Sequence, residues 1–274
     1  MASSPGTGNR PRSRAAAGLP AVTAERIVDA ALKLTAERGL DSWTLRQLAG
    51  EVDAYPAVVY HHVGDRDAVV NAVIDRVVGE LTLPGDTLPW RTWFAALLAE
   101  LRVVLRRYPG SARRLALFGP SVSAATRTID AGVRVLMAAG FGEESALAYN
   151  LLLANACQFV AMEDERDGDP ELGSSITEEY AAYRDRGDLP GMAAHGRAMH
   201  ELVSDPDKAS GYFARLYDYA VERCLDGLAC RLTRLATGER NCCAVRCQPD
   251  HGHGGNRYLR AGRLRPVSAC FWSD

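Results

Sequence analysis

The sequence is short of net charge: 32 basic and 34 acidic side chains in 274 residues leave −2 at neutral pH. A sum so near zero offers no general electrostatic case for a polyanionic partner, although it can hide local asymmetry. A membrane-length apolar run is also missing. The longest uncharged stretch, Ser145 to Met162, has 18 residues and includes Asn150, Asn155 and Gln158. A bilayer demands about 20 predominantly apolar residues, so a helix buried in protein is expected there. No apolar run follows the early arginines Arg10, Arg12 and Arg14, so a secretory signal of the usual form is not expected in this stretch. The 7 Cys are odd in number and four lie beyond residue 240, so no disulfide framework is expected in the body. A reducing cytoplasm is the expected compartment. Catalytic constellations are lacking too: no nucleophile with a paired base, no phosphate loop and no compact carboxylate–His site stands in the body. An enzyme is therefore not expected, nor a metal site or cofactor.

What is present is an ordinary globular composition, 47% apolar and 24% charged, with length for about two domains. Charge falls in opposed blocks. Residues 1–22 hold three Arg and no acid, residues 163–188 ten acids against three bases, and residues 241–274 five bases against two acids. Helical periodicity dominates, without a convincing strand or internal repeat, so the expected fold class is all-α. Thr23 can cap a first helix striped by Ile27, Ala30, Ala31 and Leu34, with Gly39 as its stop. Thr44 and Gln47 form a capping box for a second helix, with Trp43 and Leu48 as its hydrophobic staple. Pro56 opens a brief third helix ending near Val63-Gly64, and Asp65 can cap a fourth that runs toward Pro84-Gly85. Further helices are expected over about 89–108, 123–139, 143–165 and 207–235. The acidic block with Gly168, Pro170 and Gly173 reads as a surface loop.

The second and third helices, joined by a three-residue turn, make a helix-turn-helix followed directly by a long helix. A short helix held in this way can enter a major groove, where base edges are distinguishable. Pro56, Ala57 and Val58 suit thymine methyls. Tyr60 and His62 can donate to phosphate oxygens, and His61 can reach a base edge or phosphate. Thr44 joins the candidate set, and Arg46 can fork onto guanine or bind phosphate. Arg66 with the amides opening the fourth helix offers another phosphate site. Spacing alone leaves plain helix packing open as the alternative, with Val59 in the core either way.

The stretch WTLRQLAGEVDAYPAVVYHHVGDRDAVV, Trp43 to Val70, resembles the DNA-binding domain of TetR-family transcriptional regulators. Leu48-Ala49, Val59-Tyr60, His62-Val63 and Arg66 carry the likeness. The resemblance places Arg46, Pro56, Ala57, Val58, Tyr60, His61, His62 and Arg66 where relatives touch DNA. Two positions depart from the pattern: Asp53 replaces a turn glycine, and Tyr55 stands where a Ser or Thr commonly caps the recognition helix. The likeness extends to the tetracycline-repressor branch through Ala139-Gly140-Phe141, ALAYNLLLANACQFVAMED (Ala146–Asp164) and YDYAVERCLDGL (Tyr217–Leu228), and covers about residues 23–236.

By that resemblance, residues 23–70 are a three-helix helix-turn-helix DNA-binding domain. Residues 71–237 are a larger helical domain for effector binding and dimerisation, flanked by a basic arm (1–22) and a Cys/His-containing tail (238–274). The implied function is a ligand-responsive regulator, most simply a repressor. It would bind a palindromic double-stranded DNA operator as a homodimer and leave it when a small molecule binds. Candidate effector-lining residues are Phe94, Leu98, Phe118, Ile129, Leu147, Asn150 and Ala154, with core packing the other reading for each. Tetracycline repressors hold a magnesium chelate through a His and a water-linked Glu. Glu163 matches the Glu, but the His position falls near Leu117, so tetracycline–magnesium binding is not expected. The tail's Cys242, Cys243, Cys247, His251, His253 and Cys270 are zinc-ligand types without the usual finger spacing. Metal or redox sensing through them is the alternative function.

Overall fold

Thr23 starts the first helix. Its side chain accepts the Arg26 N–H at 3.2 Å, and the computed structural model, which describes residues 21–237, runs helix α1 over Ala24–Arg38. Gly39, at φ 88°, ends it in a conformation open to glycine. The α2 helix (Leu45–Glu51) carries the full capping box. Gln47 N–H donates to Thr44 Oγ1 at 3.3 Å, and Thr44 N–H donates to Gln47 Oε1 at 2.8 Å. Asp53 turns the chain at φ 51°, left-handed geometry that Asp tolerates better than most residues. Pro56 is the first residue of α3 (Pro56–His62), and Asp65 caps α4 (Arg66–Gly79) through the Ala68 N–H at 2.9 Å. Trp43 is buried among these helices. Its indole N–H donates to Thr35 Oγ1 at 3.0 Å, which donates to Ala31 O at 2.8 Å, so the polar tip of a core residue is satisfied.

The rest of the described chain is helical too: α5 (Trp90–Arg106), α6 (Ser111–Phe118), α7 (Val122–Ala139), α8 (Ser145–Gly168), α9 (Pro170–Ala181), α10 (Pro190–Ser204) and α11 (Pro206–Ala236). No strand occurs among the described residues. The all-α class is as expected. The α8 helix is the hub, packing against α5, α6, α7 and α11. Trp93, Phe94, Leu97, Leu98, Leu105, Leu136 and Phe141 are fully buried around it.

The chain departs from the sequence expectation at α6, through α9 and the equally unexpected α10, and at the end of α4. The α6 helix stands where none was expected. It is eight residues long, bounded by Gly110 and Gly119 at φ 87° and 69°, and Arg113-Arg114 interrupts its apolar pattern. The acidic block read as a loop is helical: α8 continues to Gly168, and Pro170 is the first residue of α9, a position proline favours. Its partner α10 packs along it, with Tyr180 and His195 meeting edge to face, their ring centroids 4.9 Å apart. Finally α4 stops at Gly79 instead of running on to Pro84-Gly85.

The segment from Gly142 to Gly168 is long and apolar enough to cross a bilayer by length and composition, although 44% of its apolar window is buried in the protein. Its open side is a stripe: Leu147, Leu151, Ala154, Gln158 and Met162 are exposed at spacings of three and four residues. An apolar helix half covered by its own domain, with one stripe left over, matches a helix that packs against a second helical surface.

Candidate DNA-binding face and ligand cavity

The α3 helix is held from one side and open on the other. Val59 is fully buried, and Val58 is half-buried against the core, which fixes the rotation of the helix. That rotation leaves Ala57, Tyr60, His61 and His62 exposed, with Pro56 partly so. The two imidazoles lie edge to face, their centroids 5.3 Å apart. Arg46 on α2 is exposed and makes no ion pair among the described residues, leaving its guanidinium available to a phosphate or guanine. Thr44 is exposed, but its hydroxyl is engaged in the capping box with Gln47.

Two residues differ in placement from the expectation. Val58 contributes as much to seating the helix as to its outer face. Arg66 is turned inward. Its Nη2 donates to Leu40 O at 3.0 Å, its Nε reaches Trp43 O at 3.5 Å, its guanidinium lies 5.1 Å from the Trp43 ring centre, and Asp41 is 3.7 Å away. A guanidinium so occupied has little left for phosphate, and its role here is to tie α4 to the turn before α2. Tyr55, by contrast, is 83% exposed immediately before α3, with no side-chain capping bond. It stands as an added candidate for backbone contact. Arg10, Arg12 and Arg14 of the basic arm lie outside the described residues.

A cavity of about 300 Å³ opens between α4, α5, α6, α7 and α8. Its apolar walls are Val78, Leu81, Leu101, Leu115 and Leu153, and Ile129, Asn150 and Ala154 lie toward its exposed side. Thr128, Tyr149 and Cys157 are buried residues of the same lining. Burial pushes the Tyr149 phenol up to about 12, with a lesser contribution from Cys157, and burial likewise raises the Cys157 thiol to about 12. Both stay neutral near pH 7.

Of the seven effector-lining candidates, Ile129, Asn150 and Ala154 face this cavity and four do not. Phe94 and Leu98 are fully buried in the core; Phe94 stacks edgewise on Trp93 and Tyr149, and Leu98 O accepts the Tyr217 hydroxyl at 2.6 Å. Phe118 is 67% exposed at the end of α6, under the Arg114 guanidinium at 4.2 Å. Leu147 is 70% exposed on the outward stripe of α8. The residues the sequence reading missed are Thr128, Tyr149 and Cys157, together with Leu115 on the unread helix α6. Gly132 was the available signal for Tyr149. A Cβ there would stand 2.6 Å from the Tyr149 ring, so a glycine within α7 marks a side chain crossing from α8.

Residues 27–73, spanning the head just described, match the model for bacterial regulatory proteins of the tetR family. Over that stretch the chain is similar to the family's DNA-binding domain. It is 35% identical over 140 residues to an HTH-type transcriptional regulator of Saccharopolyspora erythraea, a match covering 50% of this chain and 58% of that relative. It is 28% identical over 151 residues to the tetracycline repressor protein class A of Escherichia coli, covering 54% and 68%. The aligned stretch thus spans little more than half of the Saccharopolyspora regulator. Apo ActR from Streptomyces coelicolor shares the fold at a TM-score of 0.65 and 21% identity, over 80% of this chain and 99% of that one.

Glu163 is 10% exposed at its side chain and already paired: Arg102 Nη2 donates to its two oxygens at 2.8 and 2.9 Å, and Arg106 lies 3.6 Å away. Its charge is answered by cations of α5, which leaves little for a chelate. Leu117, where a tetracycline repressor's histidine would fall, is 64% exposed on α6. Beside Glu163, Asp164 accepts from Arg106 at 2.5 Å and from the Gly110 N–H at 3.0 Å. The adjoining Pro109 O accepts the Leu40 N–H at 2.8 Å. The end of α8 is thereby connected, through the turn before α6, to the carbonyl-and-amide pair of Leu40 that Arg66 also grips.

Proposed function

We propose that this protein is a ligand-responsive transcriptional regulator, a repressor, that binds a palindromic double-stranded DNA operator as a homodimer and is released by a small-molecule effector. The observation that carries the reading is the span of α4. Its first residue, Arg66, grips the backbone of the reading head, and Val78 near its last turn lines the cavity. A molecule filling the cavity therefore presses on the helix that orients α3. The open face of Ala57, Tyr60, His61 and His62 with the unpaired Arg46 supplies the groove contact. The exposed stripe Leu147, Leu151, Ala154, Gln158 and Met162 on α8 supplies the second-copy interface, and two-fold symmetry makes the operator an inverted repeat. The repressor sense follows the tetracycline repressor relative, and a cytoplasmic location without a membrane partner goes with it. Sensing through the Cys/His tail draws no support, since residues 238–274 lie outside those described.

Selection of bound duplexes from a random pool tests the reading. An inverted repeat should emerge, with half-sites about one helical turn or a multiple apart and affinity that falls steeply with salt. Recovery of unrelated sequences at the same yield as bulk DNA would overturn it. Leu151→Glu should convert the dimer to monomer in sedimentation and abolish selection.

A further inference from the structure

The cavity has a chemical character that narrows what it can hold. Its lining contains no Asp, Glu, Lys, Arg or His. An ion entering it would be desolvated without a counter-charge, which costs several-fold to many-fold in affinity. Thr128 and Tyr149 are 8% and 7% exposed, and neither hydroxyl makes a hydrogen bond among the described residues. Buried hydroxyls are ordinarily paired, because leaving one unmade is expensive. Elsewhere in the core Tyr217 donates to Leu98 O and Trp43 to Thr35, whereas Ser111 Oγ, outside the cavity, is also unpartnered among the described residues. Thr128 and Tyr149 are set apart by lining one cavity. The Asn150 amide at its exposed side is likewise without a protein partner. The Tyr149 ring is fixed by the close passage of α7 at Gly132 and by Phe94 edge-on behind it, with centroids 6.4 Å apart, so its hydroxyl is presented by a rigid group.

We propose that the effector of this cavity is an uncharged, mainly apolar molecule of one or two fused rings or similar bulk, carrying a carbonyl or hydroxyl oxygen that pairs with Tyr149 and Thr128. This rests on reading the cavity as the effector site and adds the class of molecule. Tyr149, protonated at neutral pH, donates; Thr128 donates or accepts as the ligand requires. The volume of about 300 Å³ sits at the small end of ligand sites and excludes a multi-ring glycoside or a metal chelate of comparable bulk. Leu101, Leu115 and Leu153 supply the apolar contact.

Equilibrium binding of three probes to the full-length dimer tests this: 2-naphthol, naphthalene and 2-naphthoate, all at neutral pH. 2-Naphthol should bind at least tenfold more tightly than the ionised 2-naphthoate. The isosteric double variant Tyr149→Phe/Thr128→Val should lose about tenfold for 2-naphthol while naphthalene changes less than twofold. Ile129→Trp, at an exposed cavity-lining position of α7 outside the α8 stripe, should block both neutral probes. Equal or tighter binding of 2-naphthoate, an unchanged 2-naphthol affinity in the double variant, or no binding of either neutral probe overturns the proposed class. If Ile129→Trp leaves 2-naphthol bound as before, the cavity itself is not the binding site. That outcome sinks the effector-site reading, and is distinct from blockade by Ile129→Trp with 2-naphthoate binding equally well.

Discussion

Replacing Gly132 by alanine sets two opposed effects against each other in one methyl group. In an exposed helix interior the change should stabilise by up to about 1 kcal/mol, because glycine is the poorer helix former. Here the new Cβ would stand 2.6 and 2.7 Å from two Tyr149 ring carbons and 3.4 Å from Phe94. Phe94 is fully buried behind the ring, so Tyr149 has no retreat on that side and must move toward the cavity. Over-packing of this kind costs about 1–3 kcal/mol. The net expectation is a loss of about 1–2 kcal/mol, since steric cost exceeds propensity gain, or a fall in Tm of about 2–8 °C for a chain of this size. Gly79→Ala is the control: its Cβ would meet nothing within 4 Å, so it should be neutral or slightly stabilising. Circular dichroism melting of both variants decides the matter, and 2-naphthol affinity should fall only in Gly132→Ala. A Gly132→Ala protein that melts at or above the parent temperature would refute the packing argument around Tyr149.

Three other outcomes are expected. Arg46→Ala should weaken operator binding about tenfold with Tm unchanged, whereas Arg66→Ala should lower Tm, because its guanidinium holds Leu40 O and Trp43 O; equal melting of the two would contradict the inward placement of Arg66. The folded-state acidities of Cys157 and Tyr149 lie above their ordinary values of 9.0 and 10.0, so the stability they confer is complete below pH 9 and is lost as pH rises toward about 12. Urea titrations at pH 8 to 11 should show that decline, less steeply in Cys157→Ala, and a parallel slope would argue against the burial of the thiol. Calorimetry with tetracycline and magnesium should show no binding, because Glu163 is paired with Arg102 and Arg106 and Leu117 replaces the second ligand; nanomolar binding would overturn this.

The reading head was largely legible because its signals are local. A capping box, a staple, a proline at the first helical position and an Asp cap each act within four residues, and α1 to α4 begin where those signals lie. The larger domain was legible only where periodicity ran long. Helix α6 was too short and too interrupted by arginine to register, and the glycines around Pro170 spoke for a loop that packing against α10 makes helical. The cavity was harder still. Periodicity says that Phe94 and Leu98 are buried, but not whether a neighbour or a void covers them; that depends on five helices meeting. The inward placement of Arg66 was illegible for the same reason, since its partners Trp43 and Leu40 are 23 and 26 residues away in the chain.

The fourth helix is also pinned at its middle. Arg114 of α6 holds Asn71 at 2.9 Å, and Ser121 donates to Asp75 at 2.7 Å. Taking Asp75 as the fulcrum, Val78 lies about 4.5 Å along the axis on one side and Arg66 about 13.5 Å on the other, at 1.5 Å per residue. A stiff rod supported there multiplies displacement roughly threefold, so a 1 Å push from the cavity becomes about 3 Å at the reading head. Two copies swinging in opposite senses would change their groove spacing by about twice that, enough to lose register with half-sites fixed on a duplex.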